Sequence, residues 1–335
     1  MKILQSIQPW QDKAMIYKKL ETLWLNEILD LRINLKPCSE KTHFDELLEF
    51  INNVINIKND VRFYIDIGYP FDSIRTKIPA PYYISLKVGQ RIFLKKYDEY
   101  DYKLDNSNIL YLRENTIFFK THIGDKIIYG DGNIIFKVIS ILEDALLLES
   151  QNNGIIFDGK SLHFSSQYLN KCYNIDFLLD YISNIPKDNL HGIICSFVDD
   201  KNQILELKKK TSINIISKLE TSKAIKNIDE ISSVSDMIML GRGDLLFNTC
   251  SLKDYIICQY NFIDYVQKTN KKAIIATNIF ESFANTNIPK QSEITDVWTL
   301  IKCNPNYLCL SSNLLYGEFY NDCISCIKRL RDYSI

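Results

Sequence analysis

The segment Ile213–Leu246 reads INIISKLETSKAIKNIDEISSVSDMIMLGRGDLL and decides the fold class of this chain. It contains two short apolar runs, Ile213–Ile216 and Met237–Leu240, and charged residues closely follow each run. Between the runs, apolar residues from Ala224 to Ile228 recur at helical spacing. The order strand, helix, strand is typical of one βα unit of a parallel α/β fold.

Charged residues stand directly after both of these predicted strands. Lys218 and Glu220 follow the first apolar run, and Asp244 follows the second within the sequence GRGD. In a parallel α/β fold, the carboxyl ends of the strands meet at one face, and active sites lie on that face. We therefore expect Lys218, Glu220 and Asp244 to share one pocket.

The rest of the chain repeats this alternation of short apolar runs and amphipathic helices. The apolar runs predict eight strands, at Ile3–Ile7, Ile28–Ile33, Arg62–Asp66, Gly192–Phe197, Ile213–Leu219, Met237–Leu240, Ala273–Thr277 and Tyr307–Ser311. Helical patterns fill the intervals, at Ala14–Leu25, Phe44–Ile57, Tyr173–Ile185, Lys201–Thr211, Leu252–Thr269, Glu293–Ile301 and Glu318–Asp332. Eight strands alternating with helices predict an α/β fold of the (β/α)₈ TIM-barrel type, with an open doubly wound sheet as the alternative. No GxGxxG motif follows the first strand, which counts against the dinucleotide-binding version of the open sheet.

One segment, residues 85–164, departs from this alternation. Its short β-type runs and turn signals such as Asn152-Asn153-Gly154 are typical of antiparallel hairpins. The sequence therefore predicts two domains: a catalytic barrel from residues 1–84 and 165–335, and a small β-barrel-like insertion at 85–164 after the third strand. An insertion at this point would lie over the carboxyl face of the barrel and act as a lid.

Composition places the chain among globular proteins and excludes several classes of partner. The chain has 335 residues, 46% of them hydrophobic, which is enough for a core, and its net charge is −1. Without a basic excess, neither nucleic acid nor an anionic membrane is expected as a partner, and no apolar run is long enough to span a membrane. Nine scattered cysteines and an N-terminus without a signal-peptide pattern predict reduced thiols and a cytoplasmic location.

Polar residues converge at the carboxyl ends of five predicted strands: Arg32 and Asn34; Asp66; Lys218 and Glu220; Arg242, Gly243 and Asp244; and Thr277. Each of them alone has an ordinary structural explanation, such as a helix cap or a surface ion pair. Their joint occurrence at strand ends favours an active site.

Glu220 and Asp244 together indicate a divalent metal. Carboxylate oxygens suit Mg²⁺ or Mn²⁺ held by few protein ligands, although two carboxylates without a metal would also suit an acid–base pair. Lys218 and Arg32 add positive charge that would attract a phosphoryl group or an enolate oxygen. Gly243 would let backbone N–H groups approach an anion at the start of a helix. A substrate that carries both a carboxylate and a phosphate fits this set of groups.

Three blocks of the sequence resemble the pyruvate kinase family. They are Ile215–Glu220 (IISKLE), Met237–Leu245 (MIMLGRGDL) and Lys272–Phe283 (KAIIATNIFESF), and the family's corresponding blocks read roughly IISKIE, IMVARGDLG and PVICATQMLESM. Weaker matches extend the resemblance to nearly the whole chain, at Lys2–Pro9, Leu31–Leu35, Phe63–Arg75, Gly124–Val138 and Pro289–Val297. The blocks follow one another in the family's order, which argues against a chance match.

The resemblance implies roles for the residues around the phosphoryl group. Lys218 is similar to the lysine that neutralises the transferring phosphoryl group, and Arg32 is similar to the arginine that grips the phosphate. Glu220 and Asp244 match the ligands of the catalytic Mg²⁺ or Mn²⁺. The resemblance thus implies a metal-dependent phosphotransferase.

The monovalent-cation site of the family is only partly matched. Asn34 and Asp66 resemble two of its potassium ligands, but Lys36 and Ile67 stand where the family has a serine and a threonine. We therefore expect the ammonium group of Lys36 to take the place of K⁺.

The enolpyruvate side of the site resembles the family more closely than the nucleotide side does. Thr277 matches a threonine near the enolate carbon that belongs to the proton-delivery route. Gly243 and Asp244 would offer backbone N–H groups to the substrate's carboxylate. On the nucleotide side, the family's SGETAKG block reads SSNLLYG at Ser311–Gly317, so Tyr316 replaces a lysine.

The leading hypothesis is a phosphotransferase that acts between phosphoenolpyruvate, or a related enol phosphate, and a nucleotide such as ADP or ATP. The altered nucleotide side leaves two alternatives open: a specialised enzyme or lyase that uses pyruvate or phosphoenolpyruvate with another acceptor, or a non-catalytic paralogue.

The chain ends at Ile335, after its last predicted barrel helix, so we expect no regulatory C-terminal domain. The sequence leaves open whether copies of the chain assemble into a homo-oligomer.

Overall fold

A computed structural model describes most of the chain. The described residues are 1–9, 13–35, 41–68, 71–72, 74–78, 83–96, 109–112, 121–130, 132–157, 161–164, 170–171, 175–249 and 251–334. The chain divides into two compact units, the larger from residues 1–70 with 172–335 and the smaller from residues 71–171. That the insertion at 85–164 forms a separate lid domain stays a prediction.

Strands and helices follow one another along the described residues. The strands are β1 (Lys2–Ile7), β2 (Asp30–Asn34), β3 (Arg62–Asp66), β4 (Phe71–Asp72), β5 (Ile74–Lys77), β6 (Tyr83–Leu86), β7 (Arg91–Lys96), β8 (Ile109–Leu112), β9 (Lys126–Tyr129), β10 (Ile134–Ile141), β11 (Ala145–Ser150), β12 (Gly154–Phe157), β13 (Ser161–Phe164), β14 (Asn170–Lys171), β15 (Leu190–Cys195), β16 (Ile215–Leu219), β17 (Met237–Gly241), β18 (Ala273–Ala276) and β19 (Tyr307–Leu310). The helices are α1 (Lys13–Leu25), α2 (Lys41–Ile57), α3 (Ile175–Ile182), α4 (Lys201–Lys208), α5 (Ser222–Lys226), α6 (Ile228–Val234), α7 (Arg242–Phe247), α8 (Leu252–Thr269), α9 (Gln291–Lys302), α10 (Ser312–Tyr316) and α11 (Tyr320–Ser334).

The larger unit is a closed barrel of eight parallel strands. Its order is β1-β2-β3-β15-β16-β17-β18-β19, and β19 pairs with β1 to close it. These strands are the eight predicted from the apolar runs, so the (β/α)₈ barrel is confirmed and the open sheet is excluded. Strands of this kind are buried on both faces, which is why they appear in the sequence as nearly continuous runs of apolar residues.

Two apolar layers hold this barrel together. One lies between the strands and the surrounding helices, and its strand residues include Ile215 and Leu219 of β16. The other fills the interior of the barrel with Leu4, Tyr64, Ile194, Ile216, Met239, Ile274, Ala276, Tyr307 and Cys309. Because successive side chains of a strand point to opposite faces, each interior residue fixes the direction of every second residue after it. Lys218, two residues after Ile216, must therefore point into the barrel.

A polar network occupies the barrel interior toward the amino-terminal ends of the strands. The hydroxyls of Tyr64 and Tyr307 lie 3.0 Å apart, and Tyr307 donates to Oδ1 of Asp30 at 3.3 Å. Arg62 donates to both oxygens of the same carboxylate, from Nε at 2.7 Å and from Nη2 at 2.6 Å. These bonds stabilise the end of the barrel that faces away from the predicted site, because buried polar groups need partners.

The smaller unit contains a second closed barrel. Seven of its described strands close in the order β10-β11-β7-β8-β5-β13-β9 around an apolar core. A turn does separate β11 from β12 at residues 151–153, as the sequence predicts. However, β12 pairs with β6 in a two-stranded sheet, so this turn does not join two strands of one hairpin. Among the described helices of the chain, none is long and apolar enough to cross a membrane.

Replacing Gly317 with alanine should destabilise the larger barrel. A Cβ at Gly317 would lie 2.4 Å from the carbonyl oxygen of Ala284 and 2.8 Å from its carbonyl carbon, and backbone cannot move aside cheaply. We expect the free energy of unfolding to fall by about 1–3 kcal/mol, as for other overpacked positions. Denaturant unfolding measures this loss, and Asn313→Ala, at an exposed position of α10, is the matched control. Equal stability of the two variants would contradict the close packing at Gly317.

Candidate active site

Side-chain alternation places one residue from each of several strands in the barrel interior, at the carboxyl ends of those strands. Beyond the interior residues Leu4, Tyr64, Ile194, Ile216 and Met239, the next positions on the same face are Ser6, Asp66, Ser196, Lys218 and Gly241. Arg32 and Asn34 of β2 face the interior too, because Leu31 and Ile33 belong to the outer layer. Of the strand-end set predicted from the sequence, Arg32, Asn34, Asp66 and Lys218 therefore face the barrel interior.

Lys218 and Glu220 form a buried ion pair. The Lys218 ammonium contacts Oε1 of Glu220, and the two side chains are 5% and 0% exposed. Oε2 of Glu220 accepts a hydrogen bond from the backbone N–H of Phe197 at 2.9 Å, which anchors the carboxylate to the loop after β15. A charged pair at this depth keeps its full electrostatic strength because little water screens it.

Gly241 has no side chain, and the ion pair occupies the space where a side chain would lie. A Cβ on Gly241 would lie 2.7 Å from Cγ of Glu220 and 3.0 Å from Cε of Lys218. The Glu220 side chain therefore reaches across from β16 to the end of β17, where α7 and its first-turn residue Asp244 begin. The absence of a side chain at this glycine brings the carboxylate close to the start of α7.

Arg32 and Asp66 form a second ion pair in the same interior. Nη2 of Arg32 lies 2.6 Å from Oδ2 of Asp66, and Nη1 donates to the hydroxyl of Ser6 at 3.0 Å. Oδ1 of Asp66 accepts from the hydroxyl of Ser196 at 3.2 Å and from the N–H of Gly68 at 3.4 Å. The Asp66 carboxylate, which is fully buried, is thus surrounded by donors.

The two ion pairs lie in the same barrel interior, and both affect the ionisation of their neighbours. Burial acts to lower the pKa of Arg32, but the charge and hydrogen bond of Asp66 raise it by more than burial lowers it. Cys309 and Glu220 also act to raise it, so the pKa of Arg32 lies above its usual value. Burial raises the pKa of the Cys309 thiol, while Arg32 and Lys218 act to lower it. Arg32 is therefore a permanent cation, and Cys309 stays a neutral thiol within reach of both cations.

Thr277 and Gly243 are hydrogen-bonded to each other. The N–H of Gly243 donates to Oγ1 of Thr277 at 2.8 Å, and the Thr277 hydroxyl donates to the carbonyl of Ala276 at 2.5 Å. Strand alternation alone would turn Thr277 away from the interior, since Ala276 points inward. The backbone of Thr277 instead adopts a left-handed conformation with φ of 72°, which redirects the side chain toward α7.

Arg242 does not join the interior set. Because Gly241 faces inward, the next residue faces outward, and the Arg242 side chain is only 3% exposed on the outer side of the barrel. Its Nη1 bonds both oxygens of Asp296 on α9, at 2.7 and 2.9 Å. Arg242 is therefore a structural neighbour of the site, although the sequence grouped it with the strand-end cations.

Three further residues from the sequence analysis have described positions, and one does not. Asn34 ends β2 and Asp244 lies in the first turn of α7, and both are half-buried. Lys36 lies outside the described residues. Tyr316 ends α10, its ring is 5.9 Å from the Lys19 ammonium, and its hydroxyl is buried with no hydrogen-bond partner among the described residues.

Sequence reasoning missed several groups that shape the site. Ser6 and Ser196 contact the Arg32–Asp66 pair, and strand alternation on β1 and β15 was a signal that would have found both. Asp199, in the loop after β15, accepts a hydrogen bond from Thr221, the residue after Glu220. Burial raises the pKa of Asp199 above its ordinary value. No local pattern marks this contact, because the two residues come from different βα units.

The donor set suits a hard divalent cation held by few protein ligands. Within the described ranges, no three His, Cys, Asp or Glu residues gather into a group that could hold a metal. Glu220 after β16 and Asp244 after β17 stand at adjacent strand ends and are the candidate donors, whereas the Asp66 carboxylate of the same interior already bonds Arg32, Ser196 and Gly68. Mg²⁺ commonly binds through one or two carboxylates and completes its shell with water and substrate oxygens, so these residues fit it.

Comparisons with known proteins agree with the barrel fold. The family model of the pyruvate kinase barrel domain matches residues 1–324. The pyruvate kinase of Thermoplasma acidophilum is 26% identical over 337 residues, covering 99% of this chain and 58% of that protein. The pyruvate kinase of Thermotoga maritima is 25% identical over 334 residues, covering 98% of this chain and 70% of that protein.

A third relative, the pyruvate kinase of Borreliella burgdorferi, is 26% identical over 282 residues. The aligned region covers 82% of this chain and 57% of that protein. The chain thus spans 57 to 70% of the length of these curated relatives. The family model, however, matches nearly the whole of the chain. This chain therefore belongs to the pyruvate kinase family, and the part of the family that it matches is the barrel domain.

Proposed function

We propose that the chain is a metal-dependent phosphotransferase that moves a phosphoryl group between phosphoenolpyruvate, or a related enol phosphate, and a nucleotide. The observation that carries the proposal is the buried Lys218–Glu220 pair beside Arg32 at the carboxyl end of the barrel interior. The two ion pairs place four charges in one interior, which costs desolvation energy that pairing repays only in part, so stability alone does not explain them. A phosphoryl group in transfer carries the negative charge that such a site is built to stabilise.

The two cations would act on the phosphoryl group. Arg32 is fixed by Asp66 and Ser6, so its guanidinium is held in place before substrate binds. Lys218 is fixed by Glu220 and would offset the charge that develops on the phosphoryl oxygens during transfer. Fixed cations in a water-poor interior need little reorganisation during the reaction, which is the main source of catalysis in sites of this kind.

Glu220 and Asp244 would hold the metal. A bound Mg²⁺ or Mn²⁺ would supply positive charge to the oxygens of the enolate and phosphoryl group. The Glu220 carboxylate is already anchored by the Phe197 N–H, so its position does not depend on the ion. Glu220 would share its charge between Lys218 and the metal, which lets one carboxylate orient both groups.

Thr277 and the start of α7 would act on the enolpyruvate moiety. The N–H groups of Gly243 and Asp244 lie in the first turn of α7, where the helix dipole favours a carboxylate. The Thr277 hydroxyl, held 2.8 Å from the Gly243 nitrogen, would relay the proton to or from the enolate carbon. A substrate bound here would place its carboxylate near α7 and its phosphate near Arg32 and Lys218.

Binding measurements test this function before any product is identified. Ligands that bind only the folded protein raise its midpoint of thermal unfolding. We expect phosphoenolpyruvate with Mg²⁺ to raise the midpoint, and Mg²⁺ removal by a chelator to abolish the effect. Absence of any stabilisation by enol phosphates at saturating Mg²⁺ would contradict the proposal.

A second candidate function is an enzyme that uses the same enolate chemistry with an acceptor other than a nucleotide. Tyr316 favours it, because this residue presents a ring and a buried hydroxyl where the resemblance places a lysine. Calorimetry separates the two candidates. Metal-dependent binding of phosphoenolpyruvate without binding of ADP supports the second candidate, whereas tight binding of both supports the first.

Activity should not require K⁺. The Asp66 carboxylate is already neutralised by Arg32 and receives bonds from Ser196 and Gly68, and Lys36 carries its own positive charge nearby in the sequence. We expect equal rates in K⁺ and in a tetramethylammonium salt of the same ionic strength, and a K⁺ requirement in Lys36→Ser. A strict K⁺ requirement in the unaltered protein would refute the replacement of K⁺ by Lys36.

A further inference from the structure

The guanidinium of Arg242 bonds to a single turn of backbone and to one carboxylate. Nε and Nη2 donate to the carbonyl of Thr277, at 3.2 and 2.8 Å, and Nη2 also donates to the carbonyl of Asn278 at 2.9 Å. Nη1 makes two bonds to Asp296, at 2.7 and 2.9 Å. These bonds engage all three nitrogens of the guanidinium and tie it both to the turn after β18 and to α9.

The turn that Arg242 holds is a strained one. Thr277 has φ of 72° and Asn278 has φ of 55°, so two successive residues with side chains lie in the left-handed region. A β-branched residue such as threonine rarely adopts this conformation, which persists only where the surroundings impose it. The three bonds from Arg242 to the two carbonyls are such an imposed constraint.

The strained turn decides where the Thr277 hydroxyl lies. In an extended continuation of β18, Thr277 would face the outer layer, because Ala276 faces the barrel interior. In the left-handed conformation, Oγ1 instead lies 2.8 Å from the nitrogen of Gly243. Arg242 and Gly243 are neighbours in sequence, so one short segment holds both the backbone and the hydroxyl of Thr277.

We propose that Arg242 and Asp296 are positioning residues that act through Thr277. Asp296, on α9, fixes the orientation of the guanidinium, and the guanidinium fixes the turn that presents the Thr277 hydroxyl. The inference rests on the proposed function, because the step affected is the proton transfer assigned to Thr277. We assign Arg242 no direct contact with phosphate or metal, although it stands two residues before Asp244, the proposed metal ligand, in the sequence GRGD.

Arg242→Lys keeps the charge but removes the planar fork, since lysine has one compact ammonium group. We expect it to slow exchange of the pyruvate methyl protons with solvent deuterium, followed by NMR, about 10- to 100-fold. The KM for phosphoenolpyruvate should stay within about twofold of that of the unaltered protein, because a displaced hydroxyl affects the proton step more than binding. Arg331→Lys, at a partly exposed arginine that pairs with Asp332, is the matched control and should change neither value.

A double-mutant cycle shows whether Arg242 acts through Thr277. If it does, Arg242→Lys combined with Thr277→Val should slow proton exchange no more than Thr277→Val alone. Multiplicative losses in the double variant would overturn the proposal, and so would an unchanged exchange rate in Arg242→Lys. Asp296→Asn leaves the bonds from Arg242 to the two carbonyls in place, so it should slow proton exchange in the same way but by less. This variant replaces Arg242→Lys in the test if Arg242→Lys does not fold.

A readout without substrate keeps this inference separate from the proposed function. The amide of Gly243 is bonded to Thr277 Oγ1, so its hydrogen exchange with solvent reports on that contact. Arg242→Lys and Thr277→Val should each increase the exchange rate of this amide about 10-fold or more, while amides of β16 keep theirs. If the unaltered protein proves inactive but these exchange rates change as expected, the proposed function fails and the positioning role stands. Unchanged protection of Gly243 in Arg242→Lys overturns the positioning role, whatever the activity.

Discussion

Lys218→Met should lower the rate of phosphoryl transfer by about 10³-fold, because it removes a fixed cation from a water-poor interior. The Lys218 side chain is 5% exposed and contacts Glu220, so no water or mobile cation replaces it at little cost. The effect should fall on kcat, since the charge that Lys218 offsets develops during transfer. A coupled assay of pyruvate formation measures it.

Controls separate this effect from loss of folding. Removing one partner of a buried ion pair leaves an unpaired charge, which costs about 3–5 kcal/mol. Combining Lys218→Met with Glu220→Gln removes both charges and should recover part of the lost stability without recovering activity. Lys226→Met, at an exposed lysine of α5, should retain full activity. Activity of Lys218→Met within tenfold of the unaltered protein would refute the role of Lys218.

Glu220→Gln and Asp244→Asn should each weaken binding of Mn²⁺ by about tenfold or more. Both changes keep size and shape but remove the negative charge on which binding of a hard cation depends. Glutamine at position 220 still offers an oxygen to the Phe197 N–H, so the loop after β15 need not move. Electron paramagnetic resonance of free Mn²⁺ measures binding directly, without reference to any reaction.

A matched control exists for the metal experiment. Asp229 lies in the first turn of α6 as Asp244 lies in the first turn of α7, but Asp229 is exposed. Asp229→Asn should leave Mn²⁺ binding unchanged. Equal Mn²⁺ affinity in Asp244→Asn, Asp229→Asn and the unaltered protein would exclude Asp244 as a ligand.

The barrel could be predicted because its strands are short apolar runs with helices between them. β16 and β17 have this pattern, and their interior residues Ile216 and Met239 fix the direction of the side chains two positions further along each strand. Strand alternation then places Lys218 inside the barrel from sequence alone. The predicted strand ends differ from the observed ones by one or two residues, as at β18, which ends at Ala276 before the turn.

The departures from the predicted site also have physical causes. Arg242 faces outward because Gly241 faces inward, and the sequence analysis did not apply alternation to that strand end. The left-handed turn at Thr277 could not be predicted, because threonine disfavours it and the constraint comes from a distant arginine. The contacts of Ser6 and Ser196 with the Arg32–Asp66 pair join neighbouring strands, β1 with β2 and β15 with β3, so they follow from strand order and alternation, which the sequence analysis did not apply to these two serines.

We propose that this barrel transfers a phosphoryl group from an enol phosphate with the help of Lys218 and a divalent metal. Phosphorus NMR of the protein with phosphoenolpyruvate, ADP and Mg²⁺ tests it most directly. The proposed function predicts that the phosphoenolpyruvate signal falls while a nucleoside triphosphate signal appears, and that Lys218→Met and chelation of Mg²⁺ each abolish the change. A phosphoenolpyruvate signal that stays constant with Mg²⁺ and every common nucleoside diphosphate would contradict it.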